Sequence, residues 1–420
     1  MITTTALSAG VTLRHFQTTR FKHGCITIQL LRPMCREEAA LNALLPTVLL
    51  RGSRHYPDLR AITQRLDDLY GASVGDLVRR VGDVQATGLG CTFTEDRFAL
   101  AGDQILAPVV DFLRELLLDP RLEQGIFCQD YVESEKRNRL ADIEAEFNDK
   151  RLYAANSLIR IMAREDSFGI PRVGSKEDVA AITAENLYDH YRRILREAPV
   201  EIFYVGCADA QTITDLFRPL FAGLERQPVP VPATAPLRDA DGRQITQETA
   251  ATQSILNMGF VTEIANGHPD LAAMRLCNAI LGGTMTSKLF VNVREKQSLC
   301  YSIGSEYYSA KGIFTVAAGI DAQQEQTVRR EILSQIDACK NGNISDRELT
   351  AAKEAILSAL RTIYESPGAI ERHFSTRTLS GTTQTPEELR QAIEEATVAD
   401  VARAASTLRE HSAFFLKGVG

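Results

Sequence analysis

The 420-residue sequence predicts an α+β protein made of two similar halves, each a mostly antiparallel sheet with helices packed over one face. Three observations carry that prediction. Pro228, Pro230, Pro232 and Pro236 alternate with Val229 and Val231 near the midpoint and read as an extended linker. The order of strand and helix patterns before this cluster repeats after it. Thr183 and Thr397, each placed to cap an amphipathic helix that runs into a strand, lie 214 residues apart, about half the chain. The division that follows is a first domain over 1–227, a Pro-rich linker over 228–253 and a second domain over 254–420.

The elements can be justified in order. In the first half, 74–81 and 83–93 read as paired strands and 104–118 as a helix. A long helix follows over 131–147, with Leu140, Ile143 and Phe147 on one face. Residues 176–191, KEDVAAITAENLYDHY, begin acidic and carry the Thr183 cap before the amphipathic stretch, and 200–206 is a strand. The second half presents paired strands at 299–308 and 312–320, then a helix over 323–339. A long helix over 347–364 shows Leu349, Ile356, Leu360 and Ile363 as its stripe. The run PEELRQAIEEATVADVARAA over 386–405 then precedes a strand at 413–418.

Composition narrows the function. Hydrophobic residues at 44% and charged residues at 24% fit a folded multidomain protein. Forty-seven basic against fifty-four acidic residues leave a net charge of −7, which offers no attractive field to nucleic acid or anionic lipid. No apolar run approaches the roughly 18–20 residues of a membrane span, and the first 24 residues lack the central apolar block of a signal peptide, so a cytoplasmic location is expected. The eight cysteines form no C-x-x-C pair and read as small buried hydrophobes in a reducing compartment.

No local motif supplies catalysis. No two of the seven histidines are spaced i, i+4, so neither H-E-x-x-H nor H-x-x-E-H can be written, and each histidine reads as a solvated surface residue. G-x-S-x-G, the Walker loop and G-x-G-x-x-G are also missing. Gly282 and Gly283 read locally either as a tight turn between helices or as a loop whose backbone can approach a ligand.

Residues 281–304, LGGTMTSKLFVNVREKQSLCYSIG, resemble the second-half signature of the pitrilysin, insulinase and mitochondrial processing peptidase family of zinc metallopeptidases. In that family a glycine turn, a Ser-Arg/Lys-Leu-Phe helix, and an Arg followed seven positions later by a Tyr come in this order. Arg294 and Tyr301 have that spacing. The resemblance covers essentially the whole chain and implies the LuxS/mitochondrial processing peptidase type of metallopeptidase architecture. It also implies that Arg294, Tyr301, Gly282 and Gly283 bind substrate.

The first half departs from the family. Residues 41–53 read LNALLPTVLLRGS, and placing Arg51, Gly52 and Ser53 on the family's Lys-Gly-Thr-like turn puts Ala43, Pro46 and Thr47 where the inverted motif has His, Glu and His. Both imidazole ligands and the water-activating carboxylate are replaced together. Glu135 corresponds to the third ligand position, although beside Lys136 it also reads as an ordinary helix carboxylate.

The resemblance therefore implies the zinc-less partner branch. This would be a chain that holds no cofactor and is not an enzyme alone, contributing substrate-binding groups to a chamber shared with a zinc-bearing homologous subunit that cleaves peptides. A homodimer without that partner is an arrangement the sequence leaves open. A narrower likeness, in FNDKRLYA at 147–154 and in 200–206, is to the bacterial subunit type linked to elongation factor P modification. The competing expectations are a structural or assembly scaffold without a role in proteolysis, and an enzyme acting alone.

Overall fold

In the computed structural model, residues 2–237, 241–382 and 384–420 are described; residues 238–240 of the expected linker lie outside them. Among the described residues the chain begins with β1 (Ile2–Ser8), β2 (Val11–Gln17) and β3 (His23–Pro33), then α1 (Arg36–Leu49) and α2 (Leu59–Asp68). The hairpin β4 (Ser73–Val81) and β5 (Val84–Thr94) leads to α3 (Leu106–Leu118), to the short pair β6 (Leu122–Glu123) and β7 (Ile126–Phe127), and to α4 (Gln129–Ala145). Next come α5 (Lys150–Met162), α6 (Lys176–Ala180), α7 (Ala184–Glu197), β8 (Val200–Gly206) and α8 (Ala210–Phe217).

After the proline segment the pattern recurs with β9 (Gln244–Thr249), β10 (Ser254–Val261), α9 (Leu271–Asn278), β11 (Ser302–Tyr308) and β12 (Ile313–Ile320). Then follow α10 (Glu325–Lys340), α11 (Asp346–Thr362), α12 (Pro367–Leu379), α13 (Pro386–Glu395), α14 (Val398–Ser406) and β13 (Arg409–Gly418).

One sheet has the order β1-β2-β8-β3-β5-β4 and the other β11-β12-β10-β13-β9. Pairing is antiparallel except for β2 with β8 and β9 with β13. Strand for strand, β4, β5, β3, β8 and β2 correspond to β11, β12, β10, β13 and β9, so the expected two α+β halves are present.

The helices predicted with a Thr cap divide in two. The Thr183 and Thr397 side chains each accept from the backbone N–H three residues on, and their own N–H groups donate to the Asn186 and Asp400 side chains, starting α7 and α14 anew after α6 and α13. In each half one helical layer packs on the inner face of the sheet. Ile26, Ile28 and Leu30 of β3 meet Leu44, Val109 and Ile194, while Leu256, Met258 and Phe260 of β10 meet Leu276, Ile332 and Val401.

The central strands show that this layer is not the only cover. Every residue of β10 is buried, as is β3 from Gly24 to Arg32, whereas a sheet with one wet face would alternate. The outer faces are closed by an exchange of helices between the halves of the chain. Unit 1 comprises the residues up to Glu144, Ile170–Ala233 and Ile363–Leu379; unit 2 comprises Ala145–Gly169, Thr234–Thr362 and Ser380–Gly420. Thus α12, from the second half, lies on β3 and β8, and α5, from the first half, lies on β10 and β13.

These compact units differ from the contiguous division into 1–227, 228–253 and 254–420. The segment expected as a linker also holds β9, paired with β13. The physical reason is that an amphipathic stripe identifies a buried face but not the sheet that buries it.

Candidate functional site

In unit 1 the residues that the resemblance sets against the zinc motif lie on α1. This helix is apolar almost all round and is buried accordingly, with Ala43 and Pro46 inaccessible and Thr47 half-buried. Pro46 lies in the helix interior and has no N–H for the carbonyl of Asn42. That carbonyl instead accepts from the Thr87 hydroxyl on β5, so the helix continues to Leu49 with its backbone satisfied. The Thr47 hydroxyl donates back to the Leu44 carbonyl at 2.8 Å.

The turn after α1 keeps its backbone requirement. A Cβ on Gly52 would lie 2.5 Å from the Pro57 carbonyl oxygen, and the Ser53 hydroxyl donates to Glu115 at 2.7 Å. Glu135, on α4, faces the Arg51 guanidinium at 3.3 Å. Arg51 also stacks over the Tyr131 ring, 5.3 Å from its centroid.

These residues do not fit a zinc ion. The methyl group, the ring and the internally bonded hydroxyl at 43, 46 and 47 offer no imidazole or carboxylate, and the one remaining carboxylate already has a cation beside it. Among the described residues no group of three His, Cys, Asp or Glu side chains is placed to hold a metal.

Around this helix lies a buried polar network that sequence reasoning missed. His190 sits on the inner stripe of α7 with Leu187, Tyr191 and Ile194. Its Nε2 donates to the Asn42 side-chain oxygen at 2.7 Å, and its Nδ1 accepts from Arg193 at 2.9 Å. The Asn42 amide nitrogen donates to Gln85 at 2.8 Å. Glu38 takes two bonds from Arg32, at 2.6 and 2.7 Å, and a further contact from Arg193 at 2.9 Å.

Burial pushes the His190 imidazole down to about 4, the Glu38 charge being too weak an offset. Burial alone would raise Glu38, but the hydrogen bonds and charge of Arg32 outweigh it and hold the carboxyl below its usual range. The expectation of surface histidines thus fails for His190, and for His15 and His411, which are also buried. One signal was available: Asn42 is the only polar residue of 41–46, next to a lost ligand position.

In unit 2 the glycine pair closes a wide helical turn, Ala279–Gly283, and a second wide helix, Leu289–Lys296, ends just after Arg294. Gly282 is required by packing, since a Cβ there would lie 2.7 Å from the Ser305 backbone nitrogen on β11; Gly283 is exposed. Lys288 of the Ser-Lys-Leu-Phe stretch is buried and paired with Glu348 of α11 at 2.9 Å.

The chain then reverses through Ser298, at φ 52°, whose N–H donates to the Arg294 carbonyl at 3.1 Å. Tyr301 follows at the foot of β11, its N–H on the Gly319 carbonyl at 2.8 Å. Arg294 and Tyr301 remain accessible, with side chains 39% and residue 60% exposed respectively. The Arg294 guanidinium lies over the Phe290 ring at 4.6 Å and 3.7 Å from Glu295. The Tyr301 hydroxyl donates to Asp321 at 2.9 Å, a bond that raises the phenol above its ordinary range. The eight sequence-predicted residues therefore fall in two sets: Ala43, Pro46, Thr47 and Glu135 in unit 1, and Gly282, Gly283, Arg294 and Tyr301 in unit 2.

Residues 181–356 match the family model described as the peptidase M16 inactive domain. Over 97% of this chain and 96% of the relative, the sequence is 29% identical to the probable inactive metalloprotease YmfF of Bacillus subtilis. The fold matches a conserved protein from Enterococcus faecalis at 28% identity, with a TM-score of 0.91 over 100% of this chain and 99% of that one. The chain is a homologue of inactive-type M16 peptidases. A peptidase M16 inactive domain from Pseudomonas fluorescens shares the fold at 17% identity, with a TM-score of 0.83 over 100% of this chain and 98% of that one. This inactive-type M16 homologue carries an apolar, buried α1 at the positions expected to match the zinc motif and an accessible Arg294 and Tyr301 in unit 2. No helix among the described residues is long and apolar enough to cross a membrane.

Proposed function

We propose that this chain is the non-catalytic subunit of an M16-type peptidase pair, lending Arg294 and Tyr301 to a chamber whose zinc and general base belong to a homologous partner. It holds no zinc itself, works in the cytoplasm on peptides, and has no business with nucleic acid. The observation that carries the reading is the contrast in accessibility. At 43, 46 and 47 the lost ligands are replaced by groups absorbed into packing, while Arg294 and Tyr301 stay accessible at the surface, the Tyr301 hydroxyl resting on Asp321 until a stronger acceptor arrives. Fixed donors of this kind serve a developing oxyanion and contribute about 3–4 kcal/mol each. A pure scaffold would have no use for them.

The test is reconstitution with a chain of similar length that carries H-x-x-E-H and comes from the same source. Arg294→Ala and Tyr301→Phe should each lower peptide turnover at least about tenfold, with the complex assembled and the partner's zinc retained. Full activity in both variants would replace this reading by the scaffold. One equivalent of tightly held zinc in the isolated chain would refute it from the other side.

A further inference from the structure

The outer face of the unit 2 sheet is incompletely covered. Between α5 and strands β10, β11 and β12 lies a cavity of about 210 Å³, side-chain sized rather than large enough for a drug-like ligand. Leu158 and Ile159 form its apolar wall, and Gly304 and Ala317, paired across β11 and β12, leave its floor open. Next to Ala317 on β10 is Asn257, 2% exposed, whose amide nitrogen finds no hydrogen-bond partner among the described residues. A buried donor left unpaired costs about 1–3 kcal/mol, and native structures rarely keep one without a reason.

The equivalent place in unit 1 indicates what is missing. On β3, the strand that corresponds to β10, Thr27 faces the covering helix from beside Gly90, as Asn257 does from beside Ala317. Thr27 donates to the Glu371 carboxylate of the covering helix at 2.8 Å. The covering helix of unit 2 brings only Ala155, Leu158 and Ile159 to the cavity, none of which has a side-chain acceptor.

We propose that this cavity binds an uncharged amide, the carboxamide of a glutamine or asparagine side chain in an extended polypeptide. The choice of a polypeptide rests on the proposed function; the choice of an amide rests on the lining. An acceptor is needed for Asn257. A carboxylate would meet the repulsion of Glu306, which lines the same cavity. A Lys or Arg side chain would suit Glu306 but bring Asn257 no acceptor. A carboxamide carries both an oxygen for the Asn257 donor and N–H groups for the Glu306 carboxylate, and its methylenes suit Leu158 and Ile159.

The experiment uses the full chain without a partner and a fluorescent, terminally blocked pentapeptide of alanines with glutamine at its centre. Saturable binding is expected, at least about tenfold tighter than for peptides with central leucine, glutamate or lysine. Asn257→Leu should erase that preference, and Ala155→Phe, which fills the cavity from above, should abolish binding while circular dichroism stays native. N-acetylglutamine amide, added as competitor, separates the sources. Weak competition supports a polypeptide occupant, and competition as strong as the peptide's own overturns it in favour of a free amide. Equal binding of the glutamine and leucine peptides, no saturation, or an intact preference in Asn257→Leu would overturn the proposal. Peptide binding to the full chain and turnover by the reconstituted pair are read separately, so failure of the shared-chamber reading registers in turnover and failure of this one in binding.

Discussion

The outer faces of the two sheets pose one physical problem and meet it differently. In unit 1 the buried face is polar at its centre: Thr27, Gln29 and Arg79 converge on Glu371 and Ser375 of α12, with the Arg79–Glu371 pair bidentate at 2.8 Å. Every one of these groups has a partner from the covering helix. In unit 2 the covering helix is apolar there, Met162 packs against Gly259, and Asn257 is left with an unmatched donor above a cavity. The two halves thus share a strand order while their covered faces differ in polarity and completeness. A fully satisfied polar network locks a helix in place, whereas a buried donor without a partner calls for an explanation, which the proposed amide site supplies.

The largest expected effect lies on the satisfied face. Glu371→Leu strands the Arg79 guanidinium and the Thr27 and Gln29 donors, and should cost about 3–5 kcal/mol in denaturant unfolding. The pair Arg79→Met with Glu371→Leu should recover most of that loss, because two apolar groups leave no charge unmatched. A double variant as unstable as the single one would show that the network matters for shape and not for charge.

Acid should separate the units next. Since His190 titrates near 4 in the folded state and near 6.5 when unfolded, the unfolded chain holds the extra proton between those values. The stability this group contributes is full above pH 6.5 and is lost as pH falls toward 4, a loss of about 3 kcal/mol. Glu38, held low by Arg32, adds a loss in the same direction below its ordinary carboxyl range. Hydrogen exchange should show α1 and α7 loosening first as the pH falls. In His190→Gln the decline between pH 6.5 and 4 should flatten. An unchanged profile would place the acid-sensitive group elsewhere.

The smallest effects give the sharpest comparison, because similar substitutions should act with opposite sign. Thr27→Val removes a donor from a complete network and should destabilise by about 1–2 kcal/mol. Asn257→Leu removes a donor that has no partner and should be neutral or stabilising by about 1 kcal/mol. Loss of stability in both would mean that Asn257 is as fully engaged in the folded chain as Thr27.

Much of this molecule was legible from residue order. Paired strands, the long helices at Gln129–Ala145 and Asp346–Thr362, and the Thr183 and Thr397 caps come from periodicity and capping chemistry, which act within a few residues. The expectation that Ala43, Pro46 and Thr47 stand where the family has its ligands likewise rests on residue type at fixed spacing, as does the interval between Arg294 and Tyr301. The tertiary structure decided which sheet each helix covers, and so the exchange of α5 and α12. It also decided that Arg51 stands against Glu135, that His190 is buried beside Asn42, and that Asn257 lacks the partner Thr27 has. These outcomes depend on groups brought together from distant parts of the chain. The free energy of a buried donor, charge or imidazole is set by what surrounds it in space, and local sequence carries no record of that neighbourhood.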